Sequence, residues 1–322
     1  MLEGKSVAVV VPAYGEEALI GTTLGGVPGF VDRVYVVDDA SPDATADRAR
    51  AFGDSRVVVI EHERNRGVGA AIVTGYDRAL ADGMDVTCVM AGDNQMDPAD
   101  LERLVRPVAR GEVDYAKANR LFTGEAWRVI PRHRYIGNAV LSLLTKIASG
   151  YWHVADSQSG YTAISNEMLG QLDRDRIYRG YGFPNDMLVH LNVWNARVRD
   201  FPARPVYGGG ERSGIKLRRV VPRISWLLFK GFLWRLREKY VIRDFHPLVF
   251  FYALGFVMTL VGLTLGILET ALRIAGNAVS VGTVVLIALL LIAGSQFTLF
   301  AMWFDMESNK DLGGRGRRRT DR

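Results

Sequence analysis

Two adjacent carboxylates, Asp38 and Asp39, and an acid–amide pair two residues apart, Asp93 and Gln95, are the residues of this 322-residue chain best suited to chemistry. Neighbouring carboxylates repel each other unless a ligand or cation relieves them. As acceptors they suit ribose hydroxyls or a base N–H. Asp93 and Gln95 point to one side of an extended turn and offer oxygen ligands to a hard cation. A sugar nucleotide carries a diphosphate that such a cation would neutralise. Around these residues lie Pro12-Ala13-Tyr14-Gly15-Glu16-Glu17, Asn65-Arg66-Gly67-Val68-Gly69 and Ala91-Gly92, with Asp97-Pro98 following. Each cluster also has a structural reading. Pro42-Asp43 and Asp97-Pro98 suit helix N-termini, and Gly67-Val68-Gly69 suits a turn entering a helix over 70–80.

The elements that must position these residues are legible as apolar β-rich runs at 6–11, 33–37, 56–60 and 86–90, separated by stretches with helical spacing. That alternation predicts a parallel sheet covered on both faces, with ligands gathering beyond the carboxyl ends of the strands. All four polar clusters follow one of these runs, so the pattern predicts a single acidic, glycine-containing edge.

Two long apolar stretches, 247–268 and 274–304, follow this domain. At 1.5 Å per residue the first reaches roughly 33 Å, enough to cross a hydrocarbon core of about 30 Å. Neither stretch has the polar face a soluble helical hairpin needs. Charge is divided along the chain: from Arg212 onward there are 17 basic and 7 acidic residues, against 23 and 28 before it. Ten of the basic residues precede the first span, and the connector from Arg273 to Gly282 has one, Arg273 itself. The positive-inside rule then places both chain ends and the large domain in the cytoplasm. No cationic n-region followed by an apolar core opens the sequence, so no export of that domain is expected. The basic, aromatic segment 220–245 reads as a pair of interfacial amphipathic helices docking on anionic headgroups rather than on nucleic acid. The lone Cys88, in an apolar run, predicts packing in a reducing compartment. Gly255, Gly262 and Gly266 would allow close helix approach, and with it a homo-oligomer.

The ordered set Pro12-Ala13-Tyr14-Gly15-Glu16, Val37-Asp38-Asp39-Ala40-Ser41, Asn65-Arg66-Gly67-Val68-Gly69 and Gly92-Asp93-Asn94-Gln95 resembles family 2 glycosyltransferases of GT-A fold. Downstream, Asn119-Arg120, Arg134 with Gly137-Asn138, Asp156-Ser157-Gln158-Ser159-Gly160-Tyr161, Asn185-Asp186 and Arg212 to Lys216 resemble the polyprenyl-phosphate branch, which contains dolichol-phosphate mannose synthase. The resemblance covers roughly residues 7–216. It implies a Rossmann-like mixed α/β sheet over residues 1–216. Amphipathic helices over 217–246, two membrane helices over 247–305 and a basic tail over 306–322 complete the expected organisation. It further implies inverting transfer of a monosaccharide from a UDP- or GDP-sugar to a polyprenyl phosphate. The nucleotide would be held by Pro12, Ala13, Tyr14, Glu16, Asp38, Asp39, Gly69 and Asp93, with Arg212 and Lys216 as a clamp. Mg²⁺ or Mn²⁺ would be held by Asp93 and Gln95. The acceptor phosphate would be held by Arg120, Arg134 and Asn138, with Arg132 and His133 as neighbours. Asp156 would orient the acceptor side or the sugar, or act as a base, and would otherwise cap the turn into Gly160; Asp186 stands at another family carboxylate position that would otherwise cap a helix over 187–195.

A polyprenyl phosphate is already anionic, so its oxygen needs no strong general base, and the chemistry reduces to charge management. The chain departs from the family's Asp-x-Asp at its first position, which is Ala91. That departure keeps open a non-catalytic nucleotide-sugar-binding adaptor. A processive polysaccharide synthase is the other alternative, but its Gln-x-x-Arg-Trp string does not occur.

Overall fold

The computed structural model describes residues 1–121, 132–203 and 217–314, with side chains described for 1–121, 139–203 and 221–314. Seven strands form one sheet in the order β3-β2-β1-β4-β6-β5-β7: β1 (Val7–Ala13), β2 (Arg33–Asp38), β3 (Val57–Glu61), β4 (Val86–Val89), β5 (Tyr115–Asn119), β6 (Thr162–Ser165) and β7 (Val198–Pro202). β6 runs antiparallel to both β4 and β5, and the other pairings are parallel. The parallel reading therefore holds for the first four strands, whereas the whole sheet is mixed.

Every side chain of β1 is buried, because helices cover both faces. By the period of two, Val7, Val9 and Val11 join one core with residues of α1 (Ile20–Gly25), α2 (Thr45–Ala51) and α4 (Leu101–Ala109). Ala8 and Val10 join the other with α3 (Val68–Ala81), α6 (Asn166–Gln171) and α7 (Phe183–Val193). α5 (Arg132–Ser149) precedes β6. α3 lies so close to β1 that a Cβ at Gly75 would stand 2.3 Å from Val10 Cγ1. Residue packing of this kind fixes the strand ends that carry the site.

The chain separates into two compact units, Met1–Phe232 with Asp311–Arg322, and Leu233–Lys310. α8 (Leu217–Arg237) continues into a π-helical turn, Glu238–Arg243, so the segment expected to form two amphipathic helices contains one helix and this turn. In the second unit, α9 (Leu248–Ile274) and α10 (Val281–Ser308) form an apolar hairpin, each helix long enough to cross a membrane. The hairpin glycines lie within it. An added Cβ at Gly255 would meet Thr298 Oγ1 at 2.6 Å, at Gly294 Thr259 Oγ1 at 2.5 Å, and at Gly262 Leu291 Cδ2 at 2.9 Å, while one at Gly266 would stand 3.6 Å from Ile287. Close approach at Gly255 and Gly262 thus serves helix packing inside the chain.

Within the second unit, a polar cluster ties the last turn of α8 and the π-helical turn to the end of α10. Arg235, wholly buried, donates two hydrogen bonds to the buried Asp305 at 2.9 and 2.8 Å. Tyr240 Oη donates to Asp305 at 2.6 Å, and Lys239 donates to Asn309 at 2.7 Å.

Candidate active site

The ends of β1 and β2 are laced together by backbone and hydroxyl contacts. Asp39 N–H donates to the Ala13 carbonyl at 2.9 Å, Gly92 N–H to the Pro12 carbonyl at 3.1 Å, Gly15 N–H to Ser41 Oγ at 3.0 Å and Glu16 N–H to Thr45 Oγ1 at 2.8 Å. Pro12 and Ala13 are buried, and Tyr14 leaves half its surface exposed beside them. Both carboxylates are met by donors of the chain itself. Asp39 accepts from Arg66 N–H at 2.9 Å and Gly67 N–H at 2.7 Å, with His62 Nδ1 at 2.7 Å. Asp38 accepts from the N–H and hydroxyl of Ser41. A carboxylate offers about four acceptor positions, so the three contacts on Asp39 leave one on Oδ2. His62, whose other nitrogen meets Thr74 Oγ1 at 2.9 Å, was not singled out by the sequence.

Gly69 packs against another loop. A Cβ at Gly69 would lie 2.5 Å from the Tyr178 carbonyl oxygen, and one at Gly67, whose φ is +94°, would lie 2.5 Å from that of Arg179. The two glycines thus admit the 178–182 loop against the start of α3. Arg66, Tyr178, Arg179, Tyr181 and Arg223 line a cleft of about 320 Å³ there.

Asp93 is half-buried on the turn after β4, where burial pushes its carboxyl up. Its Oδ1 accepts from Gln95 N–H at 3.1 Å, and Asn94 between them is left-handed with φ +56°. Ala91, at the first position of the expected acidic motif, donates its N–H to Met96 Sδ. Asp97 caps the turn Pro98–Asp100, as the structural reading expected. Among the described residues no three acidic, histidine or cysteine side chains gather to hold a metal. The Asp93 carboxylate fits Mg²⁺ in the way it is usually held, by one or two carboxylates with water and substrate phosphates completing the shell.

A second charge cluster lies at the end of β5. Arg120 forks onto the buried Asp156, with Nε–Oδ2 at 2.8 Å and Nη2–Oδ1 at 3.3 Å, and Asp156 also accepts from the N–H groups of Gln158 and Ser159 at 3.2 Å. Burial alone would raise the Asp156 carboxyl, but Arg120, with Lys117 behind it, offsets this and holds it below the usual carboxylate range. Asn185 donates to Thr145 Oγ1 at 2.8 Å and to Ser157 Oγ at 3.3 Å. Asp186 lies in the first turn of α7, whose N-cap is Gly182. It therefore does not cap a helix over 187–195; it accepts from Tyr178 N–H at 2.8 Å. The side chains of Arg132, His133, Arg134 and Asn138, and all of Arg212 and Lys216, lie outside the described residues. Sequence reasoning also passed over Lys117 and Asp200, which sit beneath this cluster.

The sequence pattern described as glycosyl transferase family 2 matches residues 8–172, a span holding the β1, β2 and β4 loops together with Arg120 and Asp156. The chain belongs to this family. Glycosyltransferase relatives include the undecaprenyl-phosphate mannosyltransferase of Micrococcus luteus, 32% identical over 61% of this chain and 82% of the relative. The polyprenol monophosphomannose synthase of Mycolicibacterium smegmatis is 28% identical over 71% and 89%. The UDP-N-acetylglucosamine–dolichyl-phosphate N-acetylglucosaminyltransferase of Methanococcus voltae is 26% identical over 63% and 86%. Among solved structures, glucosyl-3-phosphoglycerate synthase from Mycobacterium tuberculosis with UDP superposes with a TM-score of 0.55 at 22% identity, covering 72% of this chain and 80% of that one, which is a likeness of fold.

Proposed function

We propose that this glycosyltransferase moves a monosaccharide from a nucleotide diphospho-sugar to a polyprenyl phosphate at the cytoplasmic membrane face, with inversion at the anomeric carbon. One observation carries the reading: the relatives named for polyprenyl- or dolichyl-phosphate acceptors match most of their own length to this chain, which also bears a span-length hairpin. The catalytic domain would occupy 1–216, with 217–246 at the interface, 247–305 in the membrane and 306–322 in the cytoplasm.

The chain's own groups divide the work. Pro12, Ala13, Tyr14, Glu16, Asp38 and Asp39 would form the nucleoside edge, with Asp39 offering its remaining acceptor position. Gly69 would act by shaping that edge, and Arg212 and Lys216 by closing on the diphosphate. Asp93 and Gln95 would hold Mg²⁺ or Mn²⁺, which supplies positive charge against the diphosphate when bound. The solved relative has also been crystallised with Mn²⁺ and UDP-glucose. Arg120, Arg134 and Asn138 would hold the lipid phosphate in line, because two anions approach only where cations offset their repulsion. Asp156 is paired and held ionised, so its part is to orient Arg120 rather than to accept a proton.

The test is metal-dependent transfer of label from UDP- and GDP-sugars to polyprenyl phosphate by wild type and Asp93→Asn. Label in the lipid fraction from one donor, reduced at least about 100-fold in the variant, supports the reading, since removing charge stabilisation at a transferring group costs on that order. Tight nucleotide binding without transfer from any donor would favour the adaptor, the alternative that Ala91 keeps open.

A further inference from the structure

Lys117 and Asp200 face each other across β5 and β7, in register, on one side of the sheet. Lys117 is completely buried, and an ammonium in such a place needs partners. Its Nζ donates to the Ser159 carbonyl. Asp200 Oδ2 accepts from Ala155 N–H at 2.6 Å and from Asn119 Nδ2 at 3.3 Å, while its Oδ1 is buried and has no hydrogen-bond partner among the described residues. These two strand residues therefore grip the 155–159 turn at its two ends, and between the grips stands Asp156, whose carboxylate holds Arg120. Apolar residues would fill the same strand positions at lower desolvation cost, so packing alone gives no reason for a charged pair here.

We propose that Lys117 and Asp200 are positioning residues for the acceptor phosphate, setting the place of the Arg120 guanidinium through the 155–159 turn. The proposal rests on the assignment of Arg120 to that phosphate. Neither residue needs to touch substrate. Each acts as outer partners of a ligating group do, and loss of such partners commonly costs 10- to 100-fold in affinity or activity.

The pair also carries a pH signature. Burial pushes the Asp200 carboxyl up to about 6 and the Lys117 ammonium down to about 8. The charged groups facing them are Asp156 and Arg120 from the neighbouring turns, with the Tyr115 hydroxyl on β5. Both grips are charged between these values. As pH falls through the lower one Asp200 takes a proton, and as pH rises through the upper one Lys117 loses its own. The two limbs belong to the pair as macroscopic steps.

The experiment uses the full chain in detergent with a short-chain polyprenyl monophosphate, measuring its binding and its turnover from pH 5 to 9. Lys117→Met and Asp200→Asn should weaken lipid-phosphate binding, and raise its KM, by roughly 10-fold or more, leaving the donor KM within about twofold. Asp200→Asn should also erase the acid limb. In an Arg120→Met background, Lys117→Met should add less than about twofold, because residues acting through one group are not additive. Unchanged acceptor binding with both limbs intact, or full additivity, overturns the proposal. Should Lys117→Met fail to fold, Asp200→Asn, which keeps the shape and one acceptor oxygen, decides. Wild type that binds lipid phosphate without transferring sugar faults the reaction alone; wild type that binds none removes Arg120's assignment and this proposal with it.

Discussion

Asp39 spends three acceptor positions on His62, Arg66 and Gly67, so the loop entering α3 is held by the same carboxylate that would meet a nucleoside. Gly67 and Gly69 complete that coupling by letting the Tyr178–Arg179 backbone press against the loop. The sequence marks these glycines as special but offers only a turn or a nucleotide contact as the reason. Their actual neighbours lie more than a hundred residues away, beyond the reach of local spacing. Likewise the repulsion within Asp38-Asp39 is readable, and its relief by Ser41, His62 and two backbone amides is not. A methyl group at position 69 has no room, so Gly69→Ala should destabilise the protein by about 1–3 kcal/mol, the usual cost of forcing a group into a packed site. Nucleotide affinity should fall with it as the Asp39 loop shifts. Gly21→Ala on α1, where an added Cβ meets nothing within 4 Å among the described residues, is the control and should be neutral or mildly stabilising. Thermal unfolding in detergent reads both, and equal midpoints for the two variants would contradict the close contact at Gly69.

Elements differ in how openly they announce themselves. β1 to β4 stand out as apolar runs because both their faces are covered. β5 reads Tyr-Ala-Lys-Ala-Asn and β7 Val-Arg-Asp-Phe-Pro, and the charges that obscure them as strands are Lys117, which the fold buries, and Arg199 and Asp200, which it half-buries. Four-residue β6 offers too little pattern to show its reversed direction. The same blindness applies at α8, where Arg235 reads as one more membrane-facing cation and is instead sealed against Asp305, 70 residues on. Such a pair contributes little compared with an apolar replacement, yet breaking one side leaves a buried charge without its partner. Asp305→Ala should therefore cost about 3–5 kcal/mol, with early aggregation on heating, and Arg235→Met added to it should recover much of the loss. A double variant no more stable than Asp305→Ala would show that the cluster is not a mutually dependent pair.

At the scale of the whole molecule, charge asymmetry is the property the sequence displays most plainly. Ten Lys and Arg residues lie between Arg212 and Arg243, whereas Ala275 to Ser280, joining α9 to α10, carry no charge. Basic residues within about 15–20 positions of a span resist translocation, so the connector should cross and the catalytic unit should stay on the donor side. Thiol labelling can read this directly, because the single native cysteine is silent: Cys88 is buried on β4, and burial pushes its thiol up, away from the reactive thiolate. Asn277→Cys in the exposed connector should react with a membrane-impermeant maleimide in intact cells. Ser55→Cys, in the exposed turn before β3, should react only after lysis. Nucleotide sugars are too polar to cross the hydrocarbon layer unaided, so this orientation also decides which pool of donor the acidic edge can sample. Labelling of Ser55→Cys in intact cells, with Asn277→Cys protected until lysis, would reverse the orientation and cut the site off from cytoplasmic donors.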